Sequence, residues 1–293
     1  MKTSIIIRTY NEAAHIGALL DGIAAQRIDH DEVETIVVDS GSTDDTMRIA
    51  ESHRVRLLHI KKEEFSFGRS LNIGCAAARG DALVFVSGHC LPATPDWLSQ
   101  LIDPLGKDEV AYSYGRQIGN GKSYLSECQI FEKYFPRDSR IPQEGFYCNN
   151  ANSALLKSAW QEHRFDEELT GLEDMKLAKR LVYQGLKIAY VASAPVFHIH
   201  QENWRQVRRR FEREAIALQH IMPEVHLSLT DCFRYWLNAA LLDFHAAQKD
   251  GVVLRRAKEI VLYRLMQYWG AYSGNHMHRN LSRRRKEAYY YPR

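Results

Sequence analysis

Glu173 and Asp174 stand side by side at the start of the amphipathic run EDMKLAKRL, so both fall in the first turn of a predicted helix. A helix N-terminus favours negative charge, which keeps Asp174 ionised and aimed outward, where a carboxylate can act as a general base. The same pair could serve only as helix-terminal chemistry. Asp39 ends the apolar run TIVVD. A strand-end carboxylate can accept hydrogen bonds from a base edge or a ribose hydroxyl, or it can simply fasten a turn. His89 follows Ser87 and Gly88 after a further apolar run, and His198 and His200 are spaced i, i+2. On an extended segment that spacing turns both rings to one face, where they could join His89 around an ion. Imidazole suits Mn²⁺ or another transition ion better than Mg²⁺. Hydrogen-bonded strand histidines are the alternative.

The elements that must position these groups are legible from the hydrophobic pattern. Strands are predicted at Ser4 to Arg8, Thr35 to Asp39, Arg56 to Ile60, Ala82 to Ser87 and Ala111 to Gly115. Between the first two, Ile16, Leu19, Leu20 and Ile23 share one helical face. Ser42 or Thr43 is predicted to N-cap a helix carrying Asp44 and Asp45 in its first turn, and residues 69–79 form a helix that Gly80 ends. Alternation of strand and helix is parallel βαβ construction, in which ligands lie beyond the carboxyl ends of the strands. Thr9, Tyr10, Asn11, Asp39 and the segment Ser87 to His89 should therefore meet in one crevice. Past residue 204, Trp204, Val207, Phe211, Ala215 and Leu218 mark one face of a basic helix.

Two linked motifs, SIIIRTYNEAAHIGALL and TIVVDSGSTDDT, resemble the opening of the family-two glycosyltransferases. The likeness continues through FGRSLNIGCAAARGDALVFVSGHCLPATPDWL, FYCNNANSALLKSAW, FDEELTGLEDMKLAKRL and PVFHIHQENW, over about residues 3 to 205. The resemblance implies a GT-A fold: an α/β, Rossmann-like mixed sheet flanked by helices. It places the catalytic domain at 1–205 and a basic, amphipathic helical extension at 206–293. It also implies an inverting transferase in surface polysaccharide assembly that moves a sugar from a nucleoside-diphosphate donor to a glycan or lipid-linked glycan. Asp174 matches the family's base and Glu173 its structural or acceptor-binding neighbour. Thr9, Tyr10, Glu12 and Asp39 match positions that grip the nucleoside.

Where relatives carry Asp-x-Asp for a divalent ion, this chain has Ser87, Gly88 and His89. Either His89 with His198 and His200 retains a metal, or His89 and nearby cations neutralise the leaving diphosphate directly. The second option admits a metal-independent enzyme using a nucleoside-monophosphate sugar; a catalytically inactive nucleotide or glycan binder is a third. Arg69 and Asn72 resemble a segment that approaches the nucleotide, and could otherwise pack a helix terminus. Arg116, in the YGRQ segment, resembles a donor-orienting position of rhamnosyltransferase-like relatives. Asn149, Asn150 and Asn152 precede a predicted helix and either read sugar hydroxyls or cap the chain. Trp204 and Arg205 match a loop that closes over the diphosphate, though Trp204 also suits a helix anchor.

Composition bounds the partners. The 293 residues carry 39 Lys and Arg against 36 Asp and Glu, but residues 201–293 hold 17 against 9. A basic tail points to an anionic partner such as phospholipid headgroups or a pyrophosphate-linked substrate, with the C-terminal helices able to pair two copies instead. No nucleic-acid reading module accompanies the charge. Five cysteines without paired spacing suit reduced thiols. The opening lacks the apolar core of a signal peptide, so the chain is expected in the cytoplasm, with peripheral contact at the inner face of the plasma membrane. The final stretch SRRRKEAYYYPR is expected to be poorly ordered.

Overall fold

The computed structural model describes residues 1–29, 32–277 and 288–291. Most of the final basic stretch, whose order was questioned above, lies outside them. The chain divides into two units, one of residues 1–120, 135–168 and 173–199, the other of 121–134, 169–172 and 200–293.

The first unit is built on one eight-stranded sheet. Its strands are β1 (Thr3–Thr9), β2 (Val33–Asp39), β3 (Arg56–His59), β4 (Ala82–Ser87), β5 (Cys90–Pro92), β6 (Val110–Ile118), β7 (Asn152–Leu156) and β8 (Lys187–His198), in the order β3-β2-β1-β4-β7-β6-β8-β5. The runs SIIIR, TIVVD and ALVFVS are nearly continuous in β-branched and apolar residues because helices cover both faces of their strands. These strands pair in parallel, with Thr9 opposite Asp39 and Arg8 opposite Ser87. Their carboxyl ends therefore share one edge. Antiparallel β7 joins that edge from the other direction, since Val86 pairs with Asn152. Ile5, Ile7, Val37, Val84 and Val86 face Ile16, Leu19, Leu20 and Ile23 of helix α1 (Ile16–Ala24) in a core that also holds Trp97 and Leu101.

Helix boundaries depart from expectation where side chains found better partners. Helix α2 spans Thr46–Glu51 with Asp45 at its cap position and no acid in its first turn. Ser42 is drawn away by Asp39 and Asn11, and Asp44 instead accepts from Thr46 and Ala13. Helix α3 spans Phe67–Ala77, starting two residues early because Ser66 accepts from the Arg69 N–H at 3.2 Å, and it is over before Gly80. Short helices α4 (Trp97–Ile102) and α6 (Lys157–Glu162) and helix α7 (Glu173–Tyr183) complete this unit.

The second unit is helical: α5 (Leu125–Tyr134), α8 (Trp204–Ile221), α9 (Leu229–Lys249) and α10 (Val253–Asn275). On α8 the buried residues are Val207, Glu212, Ile216, Ala217 and Ile221, so of the five predicted face residues only Val207 is fully buried. Polar residues of this unit are partnered inside. Arg264 meets Asp243 through two 2.7 Å bonds, with both side chains nearly inaccessible. Arg210 pairs with Glu127 at 3.0 Å and Glu202 at 2.8 Å and donates to the Tyr263 hydroxyl. Burial opposes charge on Glu127, yet the His200 hydrogen bond and Arg210 together hold its carboxyl below the ordinary range. All five cysteines are free. Among the described residues no helix is long and apolar enough to cross a membrane.

Candidate active site

At the shared edge of the sheet, Asp39 is 2% exposed and Thr9 4%. Asp39 Oδ1 accepts from Ser42 Oγ at 2.5 Å and Thr9 Oγ1 at 3.3 Å, while Oδ2 accepts from the Gly41 and Ser42 N–H groups. The carboxylate thus fastens its own turn and is held in one orientation. Asn11, in the left-handed region at φ 56°, receives the Thr43 N–H at 2.8 Å and so ties the loop after β1 to the loop after β2. Lys62 donates to the Tyr10 hydroxyl and lies over its ring at 5.2 Å.

The acid pair is anchored to this same edge. Arg8 Nη1 donates to Glu173 Oε1 at 3.1 Å and to Phe67 O at 3.3 Å. Asp174 Oδ2 accepts the Asn150 N–H and Oδ1 the Met175 N–H, each at 2.7 Å. The helix dipole alone would keep Asp174 readily ionised, as the sequence suggested. Burial outweighs it: with the Glu173 charge adding to desolvation, the Asp174 carboxyl is pushed up to about 7. Its two backbone donors and Arg8 act in the opposite direction. A carboxylate that exchanges its proton near neutrality is what general base work requires.

Asn150, 3% exposed, begins the approach to β7, not to a helix as the sequence suggested. Its Oδ1 accepts from Tyr112 and Ser153, while its buried Nδ2 finds no partner among the described residues. Asn149 accepts from Gln117, and Asn152 Nδ2 bridges Arg116 O and Ala194 O.

His89 and His198 stack at 5.1 Å between ring centroids with 22° between planes. His89 Nδ1 lies 2.7 Å from Glu12 Oε1, and His198 Nδ1 lies 2.6 Å from Gln117 Oε1. Both partners are acceptors, and a neutral imidazole that donates to such a partner from Nδ1 keeps its lone pair on Nε2, the arrangement common to metal-ligating imidazoles. Ser87 Oγ lies 3.2 Å from His89 Nε2, and a side chain at Gly88 would collide with Glu12. Strand β8 stops at His198, and His200, in the helical unit, has Nδ1 2.7 Å from Glu127 Oε1.

Other predicted residues are placed by their partners. Asn72 has no amide capacity left for a nucleotide: Nδ2 donates to Phe165 O and Glu167, and Oδ1 accepts from Trp160 and the Phe165 N–H. It is a staple between segments. Arg69 is exposed and lies 3.7 Å from Glu64. Arg116 donates from Nε to Phe135 O. Trp204, in the helical unit, stacks on Tyr124 at 5.0 Å. Arg8 escaped notice in the sequence, where a cation inside the apolar run IIIRT was the available signal.

A family model, glycosyl transferase family 2, matches residues 4–163. The O-antigen chain rhamnosyltransferase RfbN of Salmonella typhimurium is 26% identical over 72% of this chain and 70% of its own length. WbaN of Salmonella anatum, another O-antigen chain rhamnosyltransferase, is 28% identical over 64% of this chain and 63% of its own length. Among solved structures, the mannosyltransferase PcManGT from Pyrobaculum calidifontis, in complex with GDP-Man and Mn²⁺, superposes with a TM-score of 0.63 at 20% identity, covering 92% of this chain and 84% of that one. S. aureus TarS 1–349 with UDP-GlcNAc gives 0.55 at 16% identity, covering 95% and 93%. The fold is that of the GT-A glycosyltransferases. The chain belongs to glycosyl transferase family 2, and it is a glycosyltransferase.

Proposed function

We propose that this chain is an inverting transferase that uses a nucleoside-diphosphate sugar, with residues 1–205 carrying the chemistry and 206–293 serving the acceptor. The observation that carries this reading is the buried Asp174, poised near neutrality and braced through Glu173 by Arg8 at the strand edge that also bears Thr9 and Asp39. Asp174 takes the proton of an acceptor hydroxyl as that oxygen bonds to the anomeric carbon. The bond from that carbon to the diphosphate breaks on the opposite face, and the nucleotide leaves with the electron pair. Tyr10, Glu12 and Asp39 hold the nucleoside, and the Asn150 amide is satisfied by a sugar hydroxyl. Likeness to the two rhamnosyltransferases supports surface polysaccharide as the product, with a glycan or lipid-linked glycan as acceptor. Calorimetry with uridine, thymidine and guanosine diphosphates and their sugars, followed by transfer assays, tests the reading; absence of all nucleotide binding would defeat it.

The His89 and His198 pair fits a divalent transition ion such as Mn²⁺, which suits two neutral imidazoles better than Mg²⁺ does. When bound, such an ion supplies charge neutralisation at the leaving diphosphate. A second reading follows from Ser87-Gly88-His89, which offers no carboxylate of its own. It is a metal-independent enzyme using a nucleoside-monophosphate sugar, for which turnover would survive EDTA and cytidine monophosphate would bind.

The extension supports docking at the cytoplasmic leaflet of an anionic membrane. Ten of the fourteen exposed large hydrophobic residues among those described lie on α9 and α10, including Leu229, Phe233, Leu237 and Leu241 at intervals of four. Arg234, Lys249, Arg255 and Lys258 are exposed on the same two helices against one exposed acid, Asp250. Apolar insertion with basic flanks is the chemistry of an interfacial helix, and the charge excess favours lipid over a second copy of the chain.

A further inference from the structure

Five arginines lie within the ten residues from 205 to 214, and their fates differ. Arg210 is tied to Glu127 and Glu202, and Arg213 donates to Tyr289 O. Arg205, Arg208 and Arg209, on the first two turns of α8, have no carboxylate within ion-pair distance among the described residues. These three, with Glu212, Ala288 and Tyr289, line a cavity of about 370 Å³, a volume within the range of small-ligand sites. Arg208 Nε is buried there and has no hydrogen-bond partner among the described residues. Among the described residues of the wall the one acid is Glu212, which is already engaged by the Tyr289 hydroxyl at 3.0 Å. Three guanidinium groups against one occupied carboxylate leave the cavity strongly positive, and the helix N-terminus adds to that field. Converging cations repel one another unless an anion completes the set, and a guanidinium meets phosphate oxygens through paired donors.

We infer that this cavity binds the phosphate or diphosphate group of the acceptor. The anion chemistry follows from the arginines themselves. Assigning the group to the acceptor rests on the proposed function, in which a lipid-linked glycan is extended. Two sources share the chemistry, a prenyl diphosphate headgroup and a free inorganic anion. A prenyl carrier would present its diphosphate beside the apolar residues of the same helical unit, whereas an inorganic anion would gain nothing from them.

Titration of the full-length protein with inorganic pyrophosphate, and separately with farnesyl diphosphate below its micelle concentration, reads the site directly. We expect saturable binding that weakens with added salt, and a loss of about tenfold or more for Arg208→Gln and for Arg209→Gln. Arg208→Lys should recover part of the affinity, and Arg180→Gln, an exposed arginine on α7, should leave it unchanged. Tighter binding of farnesyl diphosphate than pyrophosphate assigns the lipid source; the reverse order assigns a free anion and removes the acceptor from the inference. Thermal melts of each variant separate lost binding from lost folding. The inference is overturned if neither probe binds, if the arginine substitutions change nothing, or if Asp39→Asn abolishes the binding, which would place it in the donor site. Sugar transfer measured in parallel keeps the two readings apart. Pyrophosphate binding at these arginines without transfer from any donor sinks the proposed function alone, while transfer unaffected by Arg208→Gln and Arg209→Gln, with no diphosphate bound, sinks the acceptor site alone.

Discussion

Arg8 reaches from the end of β1 to Glu173 at 3.1 Å, so the residue beside the proposed base is held by a cation from the central strand of the nucleotide half. The two charges act on Asp174 with opposite signs: Glu173 raises its proton affinity and Arg8 lowers it. Glu173→Gln should therefore move the acidic limb of the pH–rate profile for sugar transfer to lower pH, and Arg8→Gln should move it to higher pH. Profiles of kcat/KM measured from pH 5 to pH 9 check both. Shifts in the same direction would dissociate the pair from the base.

Replacement of Asp174 by Asn keeps the shape and removes the proton acceptor. We expect transfer to fall by roughly 10²–10⁴-fold, the usual contribution of a positioned base, while nucleotide binding persists. Stability should respond differently. The Asp174 proton is held up to about 7 in the folded chain against roughly 3.9 when unfolded, so between those values the native state binds more protons. Stability present below the unfolded value is then lost as pH rises through the folded one. Urea titrations at pH 5 and pH 8 should show this decline in the parent and a shallower one in Asp174→Asn.

If the stacked imidazoles hold an ion, its removal should be felt through the nucleotide. Calorimetry in EDTA is expected to show weaker nucleoside diphosphate binding than in Mn²⁺, with Mn²⁺ more effective than Mg²⁺. His198→Ala should erase the difference between the two conditions. Equal affinity in EDTA and Mn²⁺ would favour the metal-independent reading.

For the membrane, the sensitive positions are apolar and outside both proposed ligand sites. Leu241→Ser with Leu242→Ser, 56% and 69% exposed in the parent, should reduce co-sedimentation with phosphatidylglycerol vesicles severalfold while leaving soluble nucleotide binding intact. Vesicles of phosphatidylcholine alone should bind the parent weakly. Unchanged sedimentation together with loss of a dimer on gel filtration would assign this face to a second copy.

Strands β1, β2 and β4 were readable because they are buried on both faces and therefore almost wholly apolar, as in SIIIR, TIVVD and ALVFVS, whereas β5, β7 and β8 were not predicted. The acid pair was readable as a helix start, and α7 does begin at Glu173. Its electrostatics were not, because a dipole is local whereas burial depends on what the remainder of the chain brings near. Ser42 looked like a cap and became a ligand of Asp39; Asn72 looked like a nucleotide contact and closed a bond set with Phe165, Trp160 and Glu167. Ser42 took a partner three positions back, whereas the partners of Asn72 lie about ninety positions on. Arg8 was passed over because its partner is 165 positions away.

Gly115 lies on β6 where its register with β8 shifts, and a methyl group there would strike Ala194 O and the Asn152 amide that binds it. That crowding gives the position a distinctive place in heritable variation. Any codon change replacing this glycine adds at least one carbon at the congested crossing, so a saturation library should return the site as intolerant although it touches no reacting atom. Its neighbour Arg116, whose side chain points away to Phe135 O, should admit lysine or glutamine far more readily as far as folding is concerned. Intolerance at 115 would thus record strand geometry, and any selection seen at 116 alone would record the substrate.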